Sequence, residues 1–194
     1  MTGFKLLLLI IVSGSLFLES AKAFTEFNFE TEGPQKVEQD QAWSSYGEYI
    51  DNFGLTTYAQ SKPTSSTQLK ERRQDEIYIE VEQVLNDYPV VVISMGVNID
   101  EHLPAYALID GRRYPLYVDE SLQHLYVDYG VTSDGNDSKF IEALKQGLIL
   151  EIHASTYEKS KIKDTYSLMG ATAMIENSEA LINSLSELMP AYLN

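Results

Sequence analysis

The sequence contains no cysteine, and it carries only 14 lysines and arginines against 29 aspartates and glutamates. The first absence excludes disulfides, thiolate nucleophiles, thiol redox chemistry and cysteine-ligated metal. The second leaves a formal charge of −15. That balance works against nucleic acid and anionic lipid, because contacts to phosphate are made by Lys and Arg. It suits solubility outside a cell, or a basic partner. Histidine is scarce too: His102, His124 and His153 are far apart, and none sits in HExxH or another paired ligand spacing. Ser94 and Ser167 lack a Gly-x-Ser-x-Gly setting, and no P-loop or dinucleotide loop is present. No catalytic cluster, cofactor or resident metal is expected.

What is present begins with an export signal. Lys5 supplies a basic start, residues 6–18 form an apolar run broken only by Ser and Gly, and Ala21-Lys22-Ala23 is an A-x-A cleavage site. The run is too short and wrongly flanked for a permanent anchor. The expectation is a protein of the periplasm or cell surface, with no transmembrane anchor after cleavage. Residues 24–194 suit one domain of ordinary size.

Within that domain, residues 24–40 read as a loose acidic arm or a first edge strand, with Phe24, Phe27 and Phe29 its large apolar residues. Trp43, Tyr46, Tyr49, Phe53 and Tyr58 follow among polar residues, with a short strand expected at 55–58. Residues 61–75, Ser/Thr-rich and then charged, read as a loop. From Ile77 the signals sharpen. Ile77, Ile79 and Val81 alternate with Tyr78, Glu80 and Glu82, the period of a strand with one wet face. Residues 90–93 form a core strand after an Asn-Asp-Tyr-Pro turn, and Asp110-Gly111 marks a hairpin between strands at 105–110 and 112–118. Another strand is expected at 122–129, a helix at 138–147 capped by Ser138 with Phe140, Ile141 and Leu144 inward, and a strand at 148–154. A last helix at 179–189 is stopped by Pro190. Many short strands with two brief helices predict an all-β, immunoglobulin-like sandwich.

The candidate functional residues are aromatics beside carboxylates. Tyr is abundant, thirteen in all, and gives large contact area at low entropic cost. Tyr106, Tyr114, Tyr117 and Tyr126 fall on predicted strands, next to Asp119 and Glu120 in a predicted turn; together they form the candidate binding set. Many of these tyrosines also simply fill sheet positions well. Carboxylates are numerous enough that two within the separation used by glycosidases are expected by chance. The Ser133–Asp137 turn lacks the ligand order of an EF-hand.

Four blocks together resemble the invasion-associated locus B family of small exported bacterial proteins. VISMGVNIDEHLPAYALIDGRR at 92–113 is similar to that family's apolar strand, turn and Leu-x-Ile-Asp-Gly hairpin, and IEALKQGLILEI at 141–152 to its helix, Gly, then strand. SLMGATAMI at 167–175 is similar to its Ser-Leu-x-Gly-Phe-Thr-x-Ala block, and Trp43-Ser-Ser-Tyr46 with Thr57-Tyr58-Ala59-Gln60 resembles its N-terminal part. The family's cysteines are missing: Gly47, Thr56, Glu120 and His124 stand near those places. The resemblance implies a late strand through Leu168, Ala173 and Ile175, with close backbone approach or a bulge at Gly170, and Leu181, Leu185 and Leu188 packing the last helix over the sandwich. It also implies a role linked to host interaction or invasion, and supplies no mechanism. The reading is a non-enzymatic envelope protein that binds an envelope or host protein, a basic one in the simplest case. Two alternatives stand beside it: a periplasmic hydrolase with paired carboxylates, and a structural component that homo-oligomerises through an exposed edge strand.

Overall fold

Alternation of small or β-branched residues with polar ones produces a molecule made mostly of antiparallel strands. The structure is a computed structural model and describes residues 34–50, 54–84, 89–127 and 136–188. The expected signal segment, the aromatic start of the arm, Phe53, most of the expected turn at 86–89, the end of the strand expected at 122–129, residues 130–135 and Pro190 lie outside the described residues. Among the described residues eleven strands run in order: β1 (Gln35–Asp40), β2 (Trp43–Ile50), β3 (Gly54–Ser61), β4 (Ser65–Ser66), β5 (Ile77–Val84), β6 (Val90–Met95), β7 (Ala105–Ile109), β8 (Arg112–Val118), β9 (His124–Tyr126), β10 (Ile149–Ser155) and β11 (Lys161–Ser167). The same residues include two helices, α1 (Asn136–Gln146) and α2 (Ala171–Leu188). The expected all-β sandwich with two helices is the fold observed.

The strands hydrogen-bond in the order β1-β2-β3-β5-β6-β9-β8-β7-β10-β11-β4. One sheet comprises β1, β2, β3, β5, β6 and β9; the other comprises β7, β10, β11 and β4. Strand β8 belongs to both. Its first five residues pair with β7, while Tyr117 and Val118 pair with β9. Because β7, β8 and β9 follow one another and β9 returns beside β6, these four strands form a Greek key.

Inward positions of both sheets share one core, in which Trp43, Ile79, Val81, Ile93, Leu125, Leu150, Ile152 and Tyr166 are fully buried. Helix α1 contributes Phe140, Ile141 and Leu144, the stripe expected from its sequence, although it begins two residues before Ser138. The indole of Trp43 donates to the Ser167 carbonyl at 2.9 Å, so its one polar atom is satisfied inside. At the Asp110-Gly111 hairpin both residues have positive φ, 46° and 86°, as a type I′ turn requires. The Asp110 carboxylate then accepts from the Leu148 and Ile149 amides at 3.0 and 3.2 Å, fixing the start of β10 against this turn.

Three expectations change. The 61–75 segment contains β4 and a 3-10 turn at Gln74–Glu76, and Arg72 within it is buried. Strand β11 carried no expectation, although Ile162, Asp164 and Tyr166 alternate inward. The late strand at 168–175 does not form: the chain turns at Met169-Gly170 and α2 begins at Ala171. Gly170 has φ of 92°, and a β-carbon there would collide with the Asp40 carbonyl. Beyond it Ala171, Met174, Ile175, Ser178, Leu181 and Ile182 are buried at helical spacing, and this continuous stripe wins over local strand character. Helix α2 packs on β2 and β3, where Thr57 Oγ1 donates to the Ser178 carbonyl at 2.7 Å. Close backbone approach at Gly170, one of the two options the resemblance implied, is what occurs.

Candidate functional site

The outward face of the first sheet is not built as an ordinary wet face. Register places Tyr46 opposite Tyr58 and Tyr58 opposite Glu82. One step along, Gln60 stands opposite Glu80, Glu80 opposite Val92, Val92 opposite Tyr126, and Tyr126 opposite Tyr117. A third row runs Tyr78, Ser94, His124. Tyr46 and Tyr58 stack at 5.1 Å with an interplanar angle of 15°. Rings of this size beside short strands shield the carboxylates between them, and Glu80, Glu82, Tyr58, Tyr78 and Tyr126 are all only partly exposed.

The electrostatics follow from that shielding. Burial, reinforced by Glu82 and Glu48, pushes Glu80 up to about 7 despite a 3.3 Å hydrogen bond from the Gln60 amide. Burial and Glu48 raise Glu82 as well. Burial, followed by nearby carboxylates, raises Tyr58, Tyr78 and Tyr126, so these phenols stay neutral. Among the described residues no Lys or Arg pairs with Glu48, Glu80 or Glu82. The face is therefore aromatic and acidic; Lys36, opposite Tyr46 at its edge, donates to Gln39 and not to these carboxylates.

At its end lies the Asp119–His124 turn. Ser121 Oγ donates to Asp119 Oδ1 at 2.8 Å, and His124 Nδ1 lies 3.4 Å from Asp119 Oδ2 and 3.3 Å from Ser121 Oγ. Burial acts to raise Asp119, but the hydrogen bonds from Ser121 and His124 outweigh it and hold the carboxyl low. A Ser-His-Asp relay needs the hydroxyl at Nε2 and the carboxylate at Nδ1. Here both crowd Nδ1, which makes the group a turn lock instead of a nucleophile.

The six residues singled out from sequence separate into three places. Tyr126 lies on the aromatic–acidic face, with Tyr117, 44% exposed, paired beside it and Asp119 and Glu120 at its end. Tyr106 is on the outward face of the second sheet. Its ring stacks on His153 at 4.7 Å, and Arg113 lies over it at 3.9 Å. Tyr114 is inside: it is 8% exposed and packs edge-on against Phe140 at 5.1 Å, which puts it out of a partner's reach. Sequence reading missed Tyr46, Glu48, Tyr58, Tyr78, Glu80 and Glu82 as a site. The alternation at 77–82 showed a half-wet strand, but only the cross-strand register brings the other rows beside it.

A cleft of about 350 Å³ lies elsewhere, between Leu69, Arg73, Gly96, Gln123, Thr156 and Tyr157; neither Glu80 nor Glu82 lines it. Among the described residues no three His, Asp or Glu converge to hold a metal, and no helix is long and apolar enough to cross a membrane.

The fold is similar to that of a known protein. In the crystal structure of invasion associated protein B from Bartonella henselae, 97% of the chain superposes on 76% of this one, with a TM-score of 0.50. At 14% identity the likeness is one of fold. No family model matches the sequence, and no curated protein matches it.

Proposed function

We propose that this is an exported, non-enzymatic protein of the bacterial envelope, a binding module that presents the tyrosine–glutamate face to a basic partner and serves host interaction. The observation that carries the reading is the face itself. Shielded carboxylates without cations lose solvation that the single amide hydrogen bond to Glu80 does not restore, and a partner's Lys or Arg recovers that cost. Neutral tyrosines beside them supply flat contact area and cation–π faces. Tyr117, Tyr126, Asp119 and Glu120 form one rim. The export signal read from the sequence and the fold shared with an invasion-associated protein support the place and the role.

Calorimetric titration of the purified protein with an oligo-arginine peptide tests the reading. Saturable binding is expected, weakened about tenfold by Glu82→Gln or Tyr126→Ala and reduced by salt. Equal affinity for wild type and both variants overturns it. A second reading is favoured by one observation: Glu80 and Glu82 are neighbours on one strand face and Glu80 is raised, as the general acid of a carboxylate pair would be. Glycan hydrolysis that Glu80→Gln abolishes is what that reading requires.

A further inference from the structure

The outward faces of the two sheets differ in sign, and this chain itself supplies the chemistry that the first face needs. On the second sheet Arg113, Tyr106 and His153 stack across β8, β7 and β10. Lys163 stands opposite His153 on β11. Lys161 and Lys163 point outward on the same strand, and Glu151, the carboxylate of this row, is already paired with Lys163 at 2.6 Å and His153 at 3.1 Å. Arg113 pairs with no carboxylate among the described residues, in a chain where acidic residues outnumber basic ones about two to one. Its guanidinium is oriented flat on a ring, with its donors left over. A molecule of charge −15 thus keeps, among the described residues, one sheet face on which Arg113, Lys161 and Lys163 outnumber Glu151.

Strand addition, the route to self-association in one of the two alternatives read from the sequence, is the one the fold guards. The β1 edge is broken by a register shift between Lys36 and Glu38. The outer side of β11 is occupied by Thr64 and Thr67, whose amides donate to Thr165 and Lys163 carbonyls at 2.7 and 3.1 Å. Charged, irregular or covered edges do not template pairing. Among the described residues the open surfaces of the sheets are their two outward faces.

We propose that the partner of the tyrosine–glutamate face is a second copy of this chain, which lays its Arg113–Tyr106–His153 row and Lys163 over Glu80, Glu82 and the tyrosines beside them. The proposal rests on the binding reading above and names the partner. Both surfaces are sheet faces with the same strand spacing, and facing sheets pack about 10 Å apart with side chains interleaved. Arg113 meets a carboxylate, and Tyr106 meets Tyr58 or Tyr126. The two sheets share one core, so their outward faces point away from each other. The contact is therefore heterologous: each copy keeps one unused face of each kind, and the assembly grows as an open chain. The overall charge permits this at moderate salt, where repulsion beyond about 8 Å is screened while the local pairs remain.

Sedimentation velocity of the purified protein over a wide concentration range tests it. Weight-average mass is expected to rise without levelling off at the dimer, most strongly at moderate salt. Arg113→Glu and Glu82→Lys should each lower the association constant about tenfold or more. Mixed in equal amounts, the two variants should recover association that neither shows alone, because the face that each retains fits the other and the two reversed charges again meet as opposites. Circular dichroism and thermal melts show that each variant is folded. A wild type that stays monomeric throughout, a mass that saturates at two, or an unchanged association in Arg113→Glu overturns the proposal. If wild type is monomeric yet still titrates with oligo-arginine, the binding reading survives and self-docking alone falls.

Discussion

Glu80 and Glu151 are the same residue type on two outward sheet faces, and the fold drives them in opposite directions. Burial and two neighbouring glutamates push Glu80 up to about 7. Hydrogen bonds from Lys163 and His153 hold Glu151 below the usual carboxylate range. The difference arises from what the register places next door. β5 is flanked by strands whose outward positions carry Tyr58, Gln60 and Val92, so Glu80 is shielded without a cation. β10 is flanked by strands carrying Tyr106 and Lys163, so Glu151 lies near positive charge and stays wet. On one face the carboxylate is satisfied within the molecule; on the other it is left without a cation. An uncompensated, half-buried acidic face is costly to stability, and such cost in a folded chain marks a surface shaped for something else.

The largest expected effect breaks the comparison by separating the sheets that present the two faces. Arg72 is buried at their seam. Its Nε donates to the Met95 carbonyl of β6 at 2.8 Å, and its Nη atoms pair with Asp164 of β11, both side chains being without solvent exposure. It also donates to the Thr67 carbonyl at 3.1 Å, tying down the segment that guards the β11 edge. Arg72→Ala leaves Asp164 charged and alone inside, and should cost about 3–5 kcal/mol in urea unfolding. Arg72→Ala with Asp164→Leu together should recover much of that. A double variant as unstable as the single one would mean that the seam depends on the Thr67 and Met95 contacts more than on the ion pair.

Next comes Glu80→Gln, which sharpens the comparison through pH. The carboxyl of Glu80 binds its proton more tightly in the folded state than in the unfolded one. Its contribution to stability is therefore fully present below the unfolded value and is lost as pH rises through about 7. Glutamine stays neutral, so the variant should overtake wild type in neutral and alkaline solution, by on the order of 2 kcal/mol. Thermal melts across that range check it; equal pH slopes for the two proteins would show that Glu80 is solvated after all.

Much of the fold was legible in the sequence, and the misses share a physical cause. Period-2 alternation at 77–82 and the Asp-Gly turn identified β5 and the β7–β8 hairpin, because these signals are local. The start of α2 was misjudged because Leu168, Ala173 and Ile175 were assigned to a late strand, whereas the buried stripe runs through Ala171, Met174 and Ile175 on to Ser178 and Leu181. Arg72 sat in a stretch without apolar period, and its partner is 92 residues away. The site was the least legible part. Tyr126, Asp119 and Glu120 were named from exposure and type, but the glutamates and tyrosines that surround them come from β2, β3 and β5. Tyr114 and Tyr106 were named on equal grounds, yet one faces Phe140 in the core and the other faces His153 outside. Strand parity alone could have separated those two, since the intervening turn inverts it.

A smaller effect belongs to Tyr106→Ala, which removes the ring between Arg113 and His153. Exposed cation–π and cross-strand pairs of this kind are worth about 1 kcal/mol together, so thermal unfolding should shift by only a few degrees. The loss of orientation at Arg113 should register more clearly than the loss of stability. Stacking should slow exchange of its side-chain Nε proton, so that resonance is expected to broaden in the variant. Unchanged exchange at Arg113 would mean that the stack does not order the guanidinium.

The smallest expected effect is the sharpest control. Glu151 is partly exposed, and its contacts to Lys163 at 2.6 Å and His153 at 3.1 Å lie in water. Solvent-exposed pairs contribute less than about 1 kcal/mol, so Glu151→Gln should barely move the unfolding midpoint at neutral pH. Its sign is nonetheless opposite to that of Glu80. A carboxyl held low in the folded state contributes stability above its unfolded value, and that contribution fades as pH falls. The glutamine variant and wild type should therefore converge in acid, whereas Glu80→Gln and wild type diverge as solution turns alkaline. Should Glu151→Gln change stability as much as Glu80→Gln, shielding would not be what separates the two faces. The acidic face would then lose its claim to be unsatisfied, because its sign would follow from strand position alone.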